Sequence, residues 1–321
     1  MSDSLQSFRV VIKAALGYAP EAIEAGRFVR FSTNGKPSDS SGWCRLFDDL
    51  RGGVFGCYRQ GISETWSASE RTTMTREQRT ELARQIMAAT ADRNAQQCRR
   101  WTENKRRIAR ILGQCVPLQP GDPVSQYLKR RGLGGAWPLP GVLRLHRALP
   151  YWHGAEKLDA FPAMVVPIVA HDGRIVALHK TYLTWEGRKA DVPGPVKKLS
   201  GACGSLTGAS IQLGEPKRGL IGVAEGIETA LAAALLSDIP TVAAYCANGV
   251  AQWRWPGAAR KIVIFADHDA AGQDAAQTLM SRATRGGVRA DLLVPSIAGA
   301  DWLDVLAAEG VAMPGIAEVI Q

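Results

Sequence analysis

The chain has 321 residues, of which 46% are hydrophobic and 21% are charged, and its formal net charge is +9 at pH 7. The length predicts two or three domains with a substantial core, and the lack of any run of eighteen apolar residues excludes a membrane-spanning helix. The positive charge is spread unevenly, which favours a polyanionic partner over a role in solubility alone.

The six cysteines are scattered along the chain without a C-x-x-C pair, and the first residues show no signal-peptide pattern. In a chain of this length, that arrangement predicts reduced thiols and a cytoplasmic location. It also argues against a zinc ribbon, because the cysteine spacings do not suit a zinc site.

Residues 1–70 predict a small β-rich unit, with short strands at 28–31, 43–47, 54–58 and 64–66 separated by turn residues. The segment 76–112 lacks both Gly and Pro, and its apolar residues recur every three or four positions, which predicts a helix. The polar faces of that helix are strongly basic. The basic residues, with one tryptophan among them, are Arg99, Arg100, Trp101, Lys105, Arg106, Arg107 and Arg110.

Residues 115–160 are rich in Pro and Gly and predict loops, apart from a short helix at 125–131. A buried strand at 164–169 and a returning strand at 175–178 flank a hairpin turn at 171–174. A polar loop at 186–198 follows.

Residues 219–321 alternate strand and helix. Strands are predicted at 220–224, 241–245, 261–266 and 290–294, and helices at 227–236, 270–285 and 302–309. Such alternation predicts a mostly parallel sheet covered on both faces, so the fold class is α/β, or α+β over the whole chain.

Acidic residues follow two of these strands directly. Glu225 ends one apolar run, and Asp267 and Asp269 end another about forty residues later, while Asp301 and Asp304 lie at a further loop–helix junction. Open α/β sheets place their sites at the carboxyl ends of strands, and clustered carboxylates there need a divalent cation, with Mg²⁺ or Mn²⁺ best suited to oxygen ligands. Each acid alone could also be a helix N-cap. For Asp301 and Asp304, a helix cap and a metal ligand are equally good interpretations.

The segments 223–230 (VAEGIETA) and 267–272 (DHDAAG) resemble the Toprim domain, in the form found in primases of plasmids and phages. The upstream segments 179–183, 187–190 and 197–201 resemble the region that precedes Toprim in those proteins, and 46–56 with 64–66 resembles their start. The resemblance divides the chain into a β-rich N-terminal domain (1–70), a basic helical segment (71–135), a primase-type N-terminal subdomain of the catalytic core (136–215) and a Toprim domain (216–321).

The chain departs from replicative bacterial primases in having no Cys/His spacing for a zinc ribbon. It also has no P-loop motif, which predicts that no helicase is fused to it. The resemblance implies a primase that joins nucleoside triphosphates on a single-stranded DNA template, with a separate helicase or replication initiator as its partner. Asp267 and Asp269 would be metal ligands, and Glu225 a ligand or a general base. Candidates for nucleotide or template contact, each also readable as ordinary surface, are Lys180, Lys189, Lys197 and Lys198.

The basic helix with Trp101 is a candidate contact for the single strand, since basic grooves with aromatic side chains bind such strands, although a solvated helical face would look the same. His268 lies between two acids and could be a ligand or a hydrogen-bonded neighbour, and we favour the neighbour. Two other functions remain open. A metal-dependent nuclease would use the same acids with water as nucleophile, and a non-catalytic replication accessory would keep only nucleic-acid binding.

Overall fold

A computed structural model describes residues 2–35, 39–58, 60–69, 73–136 and 139–309, and it divides the chain into two compact units, residues 1–99 and 100–321. Within the described residues, no helix is long and apolar enough to cross a membrane. Among the described residues, the six cysteines form no disulfide bond. Some of the turn residues predicted between the strands at 28–31 and 43–47, namely residues 36–38, lie outside the described residues.

The first unit contains α1, the first part of α2 and an antiparallel four-stranded sheet in the order β1-β2-β3-β4. Its elements are α1 (Ser2–Leu16), β1 (Val29–Phe31), β2 (Gly42–Leu46), β3 (Gly52–Cys57) and β4 (Ile62–Ser67), followed by the start of α2 (Arg76–Gly113). The predicted β-rich N-terminal unit is confirmed, but the sequence analysis missed α1. Its apolar residues Leu5, Phe8, Ile12 and Leu16 form a helical stripe that packs on the sheet, with the Phe8 ring against those of Phe55 and Trp66.

The second unit begins with an antiparallel five-stranded sheet in the order β5-β6-β7-β8-β9. Its strands are β5 (Cys115–Pro117), β6 (Arg144–His153), β7 (Glu156–Val169), β8 (Ile175–Tyr182) and β9 (Lys197–Leu199), and α3 (Pro123–Arg130) lies between β5 and β6. The prediction of loops over 115–160 was wrong for β6. Pro150 lies within that strand, and the pairing of β6 with β7 is irregular on either side of it, which is how a strand accommodates a proline.

A parallel four-stranded sheet in the order β11-β10-β12-β13 completes the unit. The strands are β10 (Leu220–Ala224), β11 (Thr241–Ala243), β12 (Lys261–Phe265) and β13 (Arg289–Leu293), and the helices are α4 (Ile227–Ser237), α5 (Ala247–Gln252), α6 (Ala270–Arg285) and α7 (Trp302–Glu309). Alternate residues of β12 serve different cores, with Val263 and Phe265 packing toward α4 and α7, and Ile262 and Ile264 toward α5 and α6. The predicted α/β fold with a parallel sheet flanked by helices is confirmed.

Helix α4 is buried along most of its length, because the same hydrophobic core joins it to the parallel sheet on one side and to the antiparallel sheet on the other. The small side chains of Ala230, Ala232 and Ala233 are fully buried there. A charged residue on this helix therefore lies in the interior of the unit rather than on its surface, which matters for Glu228 below.

Candidate functional site

The carboxyl ends of β10 and β12 bring two acids to one edge of the parallel sheet, which we call the acidic edge. The two strands are neighbours, with Ala224 paired to Phe265, so Glu225 and Asp267 follow strands that end at the same level. The α6 N-terminus lies very close to this edge. A Cβ at Gly272 would stand 2.8 Å from the backbone oxygen of Asp267, so only glycine allows this approach.

The acids at this edge lie within electrostatic reach of one another. Burial raises the pKa of Asp267 to about 7, with further contributions from Glu225, Asp301, Asp269 and Asp304. Burial, followed by the charge of Asp269, also raises the pKa of Glu225. The structure thus places the other four predicted acids around Asp267.

Three of the five acids also cap helices, as the alternative interpretation predicted. The Asp269 carboxylate accepts a hydrogen bond from the backbone N–H of Gly272 at 2.7 Å, at the start of α6. Asp301 accepts from the backbone N–H groups of Leu303 and Asp304 at 2.8 and 2.9 Å, and Asp304 accepts from the Asp301 N–H at 3.1 Å. Capping uses oxygens of these residues without removing their negative charge from the site.

Asp267 differs from its neighbours in having an unsatisfied oxygen. Within the described part of the chain, its Oδ1 is buried and accepts no hydrogen bond. A buried carboxylate oxygen without a donor is costly, and it is typical of a site that receives a ligand or a proton.

The donor chemistry of the acidic edge suits Mg²⁺ or Mn²⁺. Among the residues that the structure describes, no three His, Cys, Asp or Glu side chains form a closed ligand group. Mg²⁺ does not require one, because it keeps several waters and is held by one or two carboxylates together with substrate phosphates. Asp267, through its unpartnered oxygen, and Glu225 could hold such an ion, with Asp269 beside them.

His268 has a structural role at this edge. Its backbone N–H donates to the Ala300 oxygen at 3.0 Å, and its Nδ1 donates to the Pro295 oxygen at 2.7 Å. The Trp302 indole donates to the Ala266 oxygen at 3.2 Å. These bonds fasten the loop before α7 to the end of β12, which holds Asp301 and Asp304 near Asp267.

The predicted lysines separate onto two faces of the antiparallel sheet. Lys197 pairs across β8 and β9 with Thr181, while Lys198 pairs with Lys180, so Lys197 and Lys198 point to opposite faces. Burial lowers the pKa of Lys180, and the neighbouring Lys198 ammonium lowers it further. Lys198 donates to the Trp152 oxygen and lies over the Tyr151 ring at 3.7 Å.

Lys189 lies apart from the other three. It is exposed in the loop after β8, where its backbone bridges to Leu183. The structure therefore does not bring the four predicted lysines together.

The structure adds two residues that the sequence analysis did not select. Glu228, on α4, is 3% exposed, and its carboxylate accepts hydrogen bonds from the Tyr127 hydroxyl at 2.7 Å and from the Lys197 ammonium at 2.8 Å. Burial would raise the pKa of Glu228, but Lys197 and the two hydrogen bonds lower it to about 2. The available signal was an acid on a helix otherwise composed of Ala, Leu and other core residues.

The basic segment of α2 is exposed. Six of its cations, Arg99, Arg100, Lys105, Arg106, Arg107 and Arg110, are exposed to solvent, and Trp101 is half-buried. This exposure suits both a nucleic-acid contact and a solvated face, so the predicted DNA contacts stay predictions.

Comparison with known families identifies the class of the C-terminal region. Residues 220–312 match the family model described as the Toprim domain, which confirms the resemblance found in the sequence. The chain therefore carries a Toprim domain, and the acidic edge with Glu225 and Asp267 belongs to it. Residues 102–212 match a model described as a domain of unknown function, DUF7146. A comparison with curated proteins found no match.

Solved structures similar to this chain include primase catalytic domains. A DNA primase domain from Pseudomonas aeruginosa is 20% identical, with 55% of each chain covered and a TM-score of 0.35. The DnaG primase catalytic domain bound to ssDNA is 18% identical, with 67% of this chain and 79% of that chain covered and a TM-score of 0.45. The primase fragment of the bacteriophage T7 primase-helicase protein is 17% identical, with 60% and 78% covered and a TM-score of 0.38. The chain spans about half the length of the first of these structures.

Proposed function

We propose that this chain is a DNA primase that makes short primers on single-stranded DNA by metal-dependent nucleotidyl transfer, in the replication of a plasmid, phage or other mobile element. The observation that carries the proposal is the acidic edge of the Toprim domain. There, Glu225 and Asp267 follow neighbouring parallel strands, and Asp267 keeps a buried oxygen without a partner in the described part of the chain. The resemblance of this motif to plasmid and phage primases supports the substrate and the biological setting.

Primer synthesis needs a 3′-hydroxyl to attack the α-phosphorus of a nucleoside triphosphate, with pyrophosphate as the leaving group. A bound Mg²⁺ or Mn²⁺ would supply the positive charge that neutralises the phosphate oxygens. In this proposal Asp267 and Asp269 would bind the metal ion at the carboxyl ends of the strands. Glu225 is a second ligand or accepts the hydroxyl proton, a role that suits a carboxylate whose pKa burial has raised.

In this proposal the basic residues contact either the triphosphate or the template strand. Lys197, which lies within electrostatic reach of Glu225, contacts the triphosphate. Lys180, Lys189 and Lys198 contact the template, as do the exposed cations of α2, with Trp101 as a stacking surface. Contacts of this kind bind a single strand without reading its sequence.

The test is primer synthesis by the Asp267→Asn, Asp269→Asn double variant. Purified protein is incubated with single-stranded DNA, all nucleotides and Mn²⁺, and labelled oligomers are measured. We expect synthesis to fall at least about a hundredfold, because the carboxylate charge is lost, while strand binding is kept. Asparagine preserves the cap at position 269. Asp274→Asn, on an exposed position of α6, is the matched control and should retain full activity.

The same assay separates the other functions. Cleavage of the DNA by wild-type protein without nucleotides would indicate a nuclease. Strand binding with neither synthesis nor cleavage would indicate a non-catalytic accessory protein. Full synthesis by the double variant would place the active site elsewhere.

A further inference from the structure

A three-residue cluster around the buried carboxylate of Glu228 links the antiparallel sheet to the Toprim domain. One Glu228 oxygen accepts from the Tyr127 hydroxyl at 2.7 Å, and the other accepts from the Lys197 ammonium at 2.8 Å. The three residues come from α3, β9 and α4. Burying an ion pair seldom stabilises a protein more than apolar residues of the same size would, so stability alone does not account for this cluster.

Lys197 connects this cluster with the acidic edge. Its side chain is 42% exposed, whereas that of its partner Glu228 is 4% exposed, so the ammonium lies at the boundary between core and solvent. Glu228 lies in the first turn of α4, which begins two residues after Glu225, so the ammonium bound to Glu228 at 2.8 Å lies near the acidic edge. A lysine ammonium has three donors, and the salt bridge to Glu228 uses one of them.

We propose that Glu228 is a positioning residue that holds the Lys197 ammonium beside the acidic edge, ready to receive the phosphates of an incoming nucleotide. Tyr127 fixes the second Glu228 oxygen, so the carboxylate itself cannot rotate away. A free lysine side chain has many rotamers, and fixing one before the ligand arrives removes that entropic cost from binding. This inference rests on the proposed function, and it assigns the buried acid of the EGIE segment a role distinct from that of Glu225.

The neighbouring lysine shows why the position is specific. Lys198 is adjacent in sequence, but β9 turns it to the opposite face, where it meets the Tyr151 ring and the Trp152 oxygen. Of the two, only Lys197 pairs with a carboxylate of the described residues. The local fold, and not the local charge density, therefore selects which ammonium faces the acidic edge.

The test is a double-mutant cycle on nucleotide affinity. Equilibrium binding of Mn²⁺–ATP is measured for wild type, Glu228→Gln, Lys197→Met and the double variant, with Tm and single-strand affinity as checks on folding. We expect each single variant to weaken binding about tenfold and the double variant to weaken it no further, because Glu228 acts through Lys197. Lys217 and Asp238 form an exposed ion pair at 2.8 Å in the same unit, and Lys217→Met with Asp238→Asn is the matched control, expected to leave affinity unchanged.

Tyr127→Phe provides a milder variant should Glu228→Gln fail to fold. It removes one hydroxyl, and we expect affinity to fall about threefold with the Lys197 salt bridge intact. Effects of Glu228→Gln and Lys197→Met that multiply to about a hundredfold would overturn the inference, as would wild-type affinity in Glu228→Gln. Failure of the wild-type protein to bind nucleotide would instead refute the proposed function, and the positioning role with it.

Discussion

At the scale of single residues, Asp267 carries the strongest electrostatic signal in the acidic edge. Its pKa rises from 3.8 to about 7, mainly through burial, with four neighbouring acids adding to the effect. A carboxyl whose pKa is higher in the folded than in the unfolded protein takes up a proton on folding. Its charged form therefore disfavours the folded state, and stability falls as pH rises from about 4 through about 7.

This pH dependence of stability gives a prediction for Asp267→Asn in the presence of EDTA. The variant should be more stable than wild type at pH 8 by about 1–2 kcal/mol, a value discounted for solvent screening, and the two should converge near pH 4. The measurement is the free energy of unfolding in urea across pH 4–8. Asp274→Asn should follow the wild-type curve. Equal pH dependence in Asp267→Asn and wild type would contradict the raised pKa.

Sequence patterns predicted that the acids lie at the ends of neighbouring strands but could not predict the Glu228 cluster. Glu225, Asp267 and Asp269 were recognisable because each follows an apolar strand, which is a local pattern. The Tyr127–Glu228 bond joins residues 101 positions apart, and the Lys197–Glu228 bond spans 31. Such contacts depend on how two sheets pack around one helix. No periodicity in the sequence predicts that packing.

At the scale of elements, the junction of β12 with α6 sets the geometry of the acidic edge. The helix begins so close to the strand that the Asp269 cap and the Asp267 carbonyl both meet Gly272. A displacement of this helix would move the two aspartates together. The junction should therefore be sensitive to a single added methyl group.

Gly272→Ala tests this sensitivity. The new Cβ would lie 2.8 Å from a backbone oxygen, which cannot move aside as a flexible side chain would, so we expect a loss of about 1–3 kcal/mol in the free energy of unfolding. Gly257→Ala is the control, because a Cβ there has no atom within 4 Å and should change stability by less than about 0.5 kcal/mol. Urea unfolding measures both, and equal stabilities would contradict the close approach.

Element prediction succeeded where one pattern dominated the segment. The helices α6 and α7 begin and end where the sequence predicted, since strand–helix alternation and caps mark their limits. Helix α1 was missed because its apolar stripe lies before an evidently strand-rich region. Strand β6 was missed because Pro150 and nearby glycines and prolines indicate loops, and only pairing with β7 makes the strand stable.

At the scale of the whole molecule, the net charge of +9 favours a polyanionic partner. Some of the cations are already neutralised by ion pairs, such as Arg84 with Glu81 at 2.6 Å and Arg174 with Asp172 at 2.7 Å. The exposed cations at the end of α2 form no salt bridge among the described residues. These are the charges expected to meet nucleic-acid phosphates.

Salt dependence distinguishes the two sets of cations. In the Arg106→Gln, Arg107→Gln variant, the slope of log affinity for single-stranded DNA against log salt should become shallower by about 1.4, or about 0.7 for each phosphate that the protein no longer neutralises. The Arg84→Gln, Arg174→Gln variant removes the same net charge from paired positions and should leave the slope unchanged. Equal slopes in the two variants would assign binding to overall charge and not to the exposed cations at the end of α2.

The short strand β9 limits which insertions the sequence can accept between β8 and β9. Its three residues alternate between faces, so that Lys197 reaches Glu228 and Lys198 reaches the Tyr151 ring. A slip of β9 by one position along β8 would exchange these two lysines without altering the composition of the chain. The pairing register of β9 with β8 therefore determines which lysine reaches Glu228, and an odd-numbered insertion absorbed by the strand would separate Glu228 from Lys197.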